Sequence, residues 1–472
     1  MNKRWFAVIL TVGLLLCLVP LSAFALNGDC ITDSDGTILG WEDLNDPDPV
    51  DMVWEQAPEP ASTASDTPTQ PHPPAETNDV QNSVAADSSE VEMASAESEF
   101  NTDELYADDM IPALYAVSAV DDAASTTESA VCEINGTPYT SLQSAINAAN
   151  NSDQIDLLQD IKWDKGLTFD SKKLTISGGG THTLTLKEMG MYAMNLSDIT
   201  FKDLTLDIYA HTNPSYSGGT ANLISNSNLR LNNVTFTLIP DGSCGSGIYL
   251  YKKSNLYLNG SYAVIRDVTG DRASGIFADE SEFYGEPNRE IKINNSYLEI
   301  TGCAHAAMTI DPIDITLSSS DVVVRNNGKL DSDPFGRNYG IGCYSGKLKM
   351  ESSTLTATGN TGANNTWQGY AVFVDGLDVD SGSTLEVRDS GGSGLGVGGI
   401  GFIQGTVICD GNGKNDAGYG SGGLYVYPGG GDLTIESGAN VSVCQNKGLA
   451  AIVNSCKLHI QNGANVSVDN NA

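Results

Sequence analysis

Two carboxylates, Glu351 and Asp380, occupy the same place in neighbouring copies of a phrase that recurs along this 472-residue chain. Stacked on adjacent strands they would stand about 5 Å apart, because strand spacing fixes the step. That separation suits a nucleophile and an acid, or two ligands sharing a calcium ion. The same side chains on a solvated face, beside Lys349 and Asp378 as a cross-strand ion pair, need do neither. Arg266, Arg325 and Arg388 share a second column, each directly after an alternating strand (AVIRD, VVVRN, LEVRD). On alternate coils they would lie about 10 Å apart, open to an anionic glycan; otherwise each pairs with an adjacent acid such as Asp267 or Asp389. Tyr249, Tyr251 and Tyr257, followed by Tyr262, Tyr284 and Tyr297, read either as aromatic platforms for sugar rings or as half-buried strand formers.

The remaining reactive residues offer less. Cys409 and Cys444 read as one column on successive coils, near enough for a disulfide, although their side chains would point in parallel. His305, between Ala304 and Ala306, has no companion ligands nearby and reads as a packed histidine rather than a metal ligand. Asp33-Ser34-Asp35-Gly36-Thr37 begins like a calcium loop, but Ile31 would fall on the first ligand position and no Glu closes it. No cofactor is expected, and calcium has no motif to hold it. The scattered cysteines suggest neither a disulfide scaffold nor a zinc cluster.

What must position these residues is the repeat itself. LTIESGANVSV from Leu433 and LHIQNGANVSV from Leu458 are nearly one phrase written twice. Looser copies start at Leu174, Ile199, Leu229, Leu256, Ile291, Ile315, Leu348 and Leu377, with an irregular one near Ile403. Each is a short alternating strand, a small polar turn and a second alternating strand, preceded by a third strand that usually starts at Gly (GIYLY, GIFAD, GIGCY, GLYVY). Period-2 alternation puts Leu, Ile and Val inside and polar residues outside. Self-similarity at this period means stacked coils, each burying its apolar face against its neighbours. The spacing predicts an all-β chain: a single-stranded parallel β-helix, three-sided, of about 11 to 12 coils, right-handed because parallel crossovers nearly always are. A β-sandwich would also alternate, but gives no reason for the sequence to repeat. Before the first coil, Pro138 to Leu158 (PYTSLQSAINAANNSDQIDLL) predicts a capping helix at about 140–150, started by Thr140 or Ser141, with Leu142, Ala145, Ile146 and Ala149 on one face.

The flanks bound the setting. Basic Met1 to Arg4, an apolar run from Trp5 to Val19 and Ala23-Phe24-Ala25 predict a signal peptide over 1–25. No membrane span is expected after its removal. Residues 26–130 hold 25 acidic residues and no Lys or Arg, and are rich in Pro, Ser, Thr and Ala. Such a segment repels itself and reads as a disordered linker before the β-helix of 131–472. The formal charge of −36 makes nucleic acid a poor partner. The regularity of the Leu458 phrase leads one to expect a further coil or cap beyond Ala472.

The phrase CEINGTPYTSLQSAINAANNSDQIDLLQDI followed by these repeats resembles the pectate-lyase-like β-helix region of large surface proteins from Gram-positive gut bacteria. The resemblance spans Cys132 to Ala472 and is carried by fold-level motifs. It implies a secreted or cell-surface protein of adhesin type, and in some relatives polysaccharide processing. The catalytic sets of polysaccharide-cleaving relatives do not match: Asn101-Thr102-Asp103 and the pairs Asp108-Asp109 and Asp121-Asp122 lie in the linker, and the nearest His stands in Ala304-His305-Ala306. The expectation is a monomeric, non-enzymatic stalk that displays loops for an extracellular glycan or host surface. The alternative is a polysaccharide lyase or glycoside hydrolase with an unrecognised site. Specificity would sit in four insertions, at 211–219, 279–290, 329–338 and 359–368.

Overall fold

The computed structural model describes residues 129–471 apart from 189, 211–219, 271–272, 279–288, 329–338, 361–368, 414–421, 428–430 and 454–455. The signal peptide, nearly all of the acidic linker, Tyr284 and most of the four insertions lie outside these residues. Within them the chain is a parallel β-solenoid. It opens with an antiparallel hairpin, Cys132–Ile134 against Thr137–Tyr139. Its turn is Asn135-Gly136, both at positive φ (50° and 78°), as a two-residue hairpin requires. Helix α1 follows at Leu142–Ala148, with Ser141 accepting from the Ser144 N–H and Leu142, Ala145 and Ile146 buried. Hairpin and helix together close the first coil, where core and backbone would otherwise be open.

Strand Gln154–Leu157 still pairs antiparallel with Cys132–Ile134; every other strand pairing after the helix is parallel and runs from one coil to the next, building three sheets. In the first, Leu174, Ile199, Leu229, Leu256, Ile291 and Ile315 stack in one inner column. Leu348, Leu377, Gly401, Leu433 and Leu458 continue it. This is the alignment the repeated phrase predicts. Gly401 breaks the apolar run because a Cβ there would come within 2.6 Å of Leu433 Cδ1, so the leucine fills the space. Each such buried side chain contributes about 1.5–3 kcal/mol.

The corners hold a second set of stacks that the phrase disguised. Ser261, Ser296, Ser320, Ser353 and Ser383 point inward. Each hydroxyl accepts the backbone N–H of the coil before, at 3.0–3.1 Å. Ser197, Ser227 and Ser254 form a shorter version at another corner. At the remaining corner Asn327 and Asn360, and after them Asn412, Asn446 and Asn471, link side chain to side chain at 2.9–3.1 Å. Apart from the half-buried Asn471 these polar groups are buried, Asn327, Asn412 and Ser254 completely, and are tolerated because each is hydrogen-bonded. The residue before several of these serines takes a left-handed turn conformation: Asn295, Ser319 and Ser352 all lie near φ 48°.

Candidate functional site

Glu351 and Asp380 do become neighbours, one position beyond the Met350–Val379 pair of the first sheet. Their oxygens are already engaged. Glu351 receives Lys349 Nζ at 2.6 Å and the Ser318 hydroxyl at 2.8 Å. Asp380 accepts the N–H groups of Ser352 and Gly382 and the Ser383 hydroxyl at 2.6 Å, which ties its turn to the coil below. The Lys349 and Ser318 bonds hold Glu351 below the usual carboxylate range. Burial alone would raise Asp380, but its three hydrogen bonds outweigh that and lower it. Neither carboxyl therefore carries the raised pKa of a general acid at neutral pH. The expected Lys349–Asp378 ion pair is replaced by Lys347–Asp378 at 3.1 Å, because Lys349 turns to Glu351 on its own strand. Among the described residues no cluster of three or more His, Cys, Asp or Glu could hold a metal ion.

The arginine column forms as the spacing predicts, with Thr301 between Arg266 and Arg325 and Thr358 between Arg325 and Arg388. Its charges are spent differently. Arg325 forks onto Glu299 at 2.5–2.9 Å, and Arg388 pairs with Glu386 and with Asp410 of the next coil. The adjacent acids Asp267 and Asp389 instead take the left-handed corner positions, φ 57° and 55°. Arg266 is exposed and has no ion-pair partner among the described residues, so the column presents one open cation rather than three.

The Cys409–Cys444 column is a correction. Cys409 is in register with Val443, while Cys444 pairs with Asp410, one residue further along. A one-residue offset reverses the face. Cys409 is fully buried, Cys444 is half-exposed beside the Ser442 hydroxyl, and both are free thiols. His305 is buried, its backbone N–H donating to Ala273.

The tyrosines separate onto different sheets. Tyr257 lies on the first, under the Arg230 guanidinium at 4.1 Å, with its hydroxyl donating to Glu290 at 2.9 Å. Burial, then the Glu290 bond, push that hydroxyl up to about 12. Tyr262 and Tyr297 stack in parallel on the second sheet, centroids 4.9 Å apart. Tyr249 and Tyr251 belong to the third sheet, so Tyr257 forms no platform with them. Tyr249 instead meets Phe277 of the next coil at 5.3 Å and Tyr251 at 5.7 Å.

The outer face of that third sheet carries more than the sequence suggested. The column through Tyr249 and Phe277 passes Thr309 and Gly342 to Phe373, Gly396 and Tyr425. A second cluster surrounds Phe373: Tyr344 at 5.5 Å, Tyr370 at 5.3 Å and Tyr427 at 6.1 Å. Gly396 makes room for it, since a Cβ there would lie 2.7 Å from Phe373 and 2.9 Å from Tyr370. Asp375 borders the cluster. Burial and then the charge of Asp311 raise its pKa, opposite to Glu351 and Asp380. The signal available in the sequence was the strand starting at Gly or Ala, whose small residue packs inward and fixes which side chains of GLYVY and AVFVD face out.

No family model and no curated protein matches this chain. Among solved structures it is similar to PfbA, a surface adhesin of Streptococcus pneumoniae, at 11% identity and a TM-score of 0.35, over 70% of this chain and 88% of that one. The parallel solenoid rests on the strand register of the chain itself, and the pectate-lyase-like relation has no family match behind it.

Proposed function

We propose that this chain is an exported, surface-displayed β-helical binding protein whose third sheet takes an extracellular glycan. The aromatic column from Tyr249 and Phe277 to Phe373 and Tyr425 carries this reading. The adjacent rings of Tyr249 and Phe277, and the Phe373 cluster beyond Thr309 and Gly342, offer two separate stacking surfaces for sugars on a rigid sheet, at little entropic cost. The leader over 1–25 and the self-repelling linker favour display outside a Gram-positive cell, as a monomer bound neither to nucleic acid nor across a membrane. Turnover is not part of the reading, since Glu351 and Asp380 are held ionised by structural hydrogen bonds.

A glycan array with the wild-type chain and a Tyr249→Ala/Phe277→Ala variant tests it. The expected result is retention on one glycan class that falls about tenfold or more in the variant, from loss of stacking worth ~1–1.5 kcal/mol per ring. Equal retention by the variant overturns the site. A reducing-sugar and unsaturated-product assay on acidic and neutral polysaccharides is the second arm. Turnover that disappears in Glu351→Gln or Asp380→Asn replaces binding with catalysis.

A further inference from the structure

One turn between the first and second sheets is shorter than its neighbours. Val379, Ile403 and Ile435 stack in register before this corner, and Thr384, Thr406 and Asn440 stack after it. The outer two coils cross the gap with Asp380-Ser381-Gly382-Ser383 and Glu436-Ser437-Gly438-Ala439, whereas the coil between them uses only Gln404-Gly405. Gly405 stands in register with Ser383, where the corner serines stop, and a Cβ there would lie 2.2 Å from the Asp380 carbonyl oxygen. The short turn is drawn in while the turns on either side project, two strand steps or roughly 10 Å apart. An open slot of about 200 Å³ results. Ser381 borders it on one side and Glu436, Ser437 and Gly438 on the other, with Gln404, Gly405 and Thr406 between.

The polar groups of the slot are largely unspent. Gln404 Nε2 donates to one Glu436 oxygen at 2.8 Å, which steadies the carboxylate. The other Glu436 oxygen and the hydroxyls of Ser381 and Thr406 have no hydrogen-bond partner among the described residues. An anion would meet Glu436 with no Lys, Arg or His among the lining residues. A metal ion would find a single carboxylate, and an ammonium group would use that carboxylate and leave the hydroxyls idle. An apolar group would cover all of these polar atoms without replacing their bonds to water. A sugar ring carries adjacent hydroxyls, each both donor and acceptor, so it can give to the free Glu436 oxygen and exchange with Ser381 and Thr406. The slot is smaller than the ~300–1,000 Å³ of sites that enclose a drug-sized ligand, so it takes one ring rather than a chain. We propose that the corner at Gln404-Gly405 binds a single neutral pyranose, the terminal unit of a glycan, through Glu436, Ser381 and Thr406. This site lies away from the third sheet and does not rest on the reading of Tyr249 and Phe277.

The test titrates the full chain with the methyl glycosides of glucose, galactose and mannose, each against its uronic acid, followed by ligand-detected NMR. At least one neutral glycoside binds at millimolar concentration, and its uronic acid is clearly weaker because a second carboxylate is brought to Glu436. Glu436→Gln weakens the neutral sugar about tenfold, from loss of one hydrogen bond to a charged group. Thr406→Ala weakens it less, and the Tyr249→Ala/Phe277→Ala variant leaves it unchanged. Copying the turn 436–439 into the place of Gln404-Gly405 restores the length of the neighbouring turns, fills the slot and abolishes binding. Thermal melts establish that each variant is folded, and the two point variants decide the matter if the lengthened turn is not tolerated. Absence of binding by all three neutral glycosides, equal binding of the uronic acid, or undiminished binding in both Glu436→Gln and Thr406→Ala overturns the proposal. Loss of the signal in the Tyr249→Ala/Phe277→Ala variant alone places the sugar on the third sheet and overturns it equally.

Discussion

Asp375 and Glu351 are both outer-face carboxylates, yet their surroundings move them in opposite directions, and stability should record it. Glu351 is lowered by Lys349 and Ser318, so its contribution is present above the ordinary Glu range and is lost as pH falls through its depressed value. Asp375 is raised by burial and by Asp311, so the folded state favours its protonated form and loses stability as pH rises through the raised value. Melting temperature against pH should therefore show Asp375→Asn more stable than wild type at neutral pH, with the gap closing on acidification. Glu351→Gln should be slightly less stable at neutral pH, and its gap should close at lower pH. The same sign for both variants would contradict these surroundings. The thiols give a second residue-scale test. Burial pushes Cys303 and Cys409 up to about 12 and Cys244 to about 11, whereas Cys444 and Cys456 are half-exposed. Maleimide applied to the folded protein should label Cys444 and Cys456 and spare Cys244, Cys303, Cys343 and Cys409, as peptide mass mapping would show.

At the scale of strand and turn, the inner column of the first sheet was legible except at Gly401, where the irregular copy was placed near Ile403, because Leu174, Ile199 and Leu229 open phrases that repeat as phrases. The corners were not. A serine or asparagine after a strand reads as solvated turn, and nothing in one sequence tells that Ser353 and Asn360 face inward to accept from the backbone of the adjacent coil. The Cys409–Cys444 pairing failed through a single-residue offset, the smallest error a strand alignment can make and the one that exchanges inside for outside. The aromatic clusters escaped because glycine interrupts their column at Gly342 and Gly396, although that interruption is what lets the rings of Phe373 and Tyr370 settle. Left-handed corners supply the prediction here. Ser319 sits at φ 49° between two strands. Ser319→Gly should leave stability unchanged or raise it by up to ~1 kcal/mol, while Ser319→Val should cost about 1–2 kcal/mol or more, measured by urea unfolding. Equal effects would mean that the turn relaxes to another conformation.

Across the whole solenoid each coil contacts only the coils before and after it, so stability is a sum of local terms rather than one cooperative core. Inner residues of the middle coils, such as Leu355, Leu385 and Val407, are fully buried, whereas Val453 and Val468 of the final coil are 37% and 50% exposed. Hydrogen exchange should follow that gradient. Amides of Leu449–Val453, Lys457–Ile460 and Asn465–Asp469 should exchange well before those of Thr354–Thr358 and Thr384–Arg388. Uniform protection along the axis would show that coils unfold together. The parallel register also decides how the molecule answers a pull. Force between the first coil and the last runs along the hydrogen bonds that join coil to coil, so it loads them in sequence instead of shearing them in unison. A tether built this way pays out one coil at a time, lengthening under tension while the coils behind it keep their faces intact.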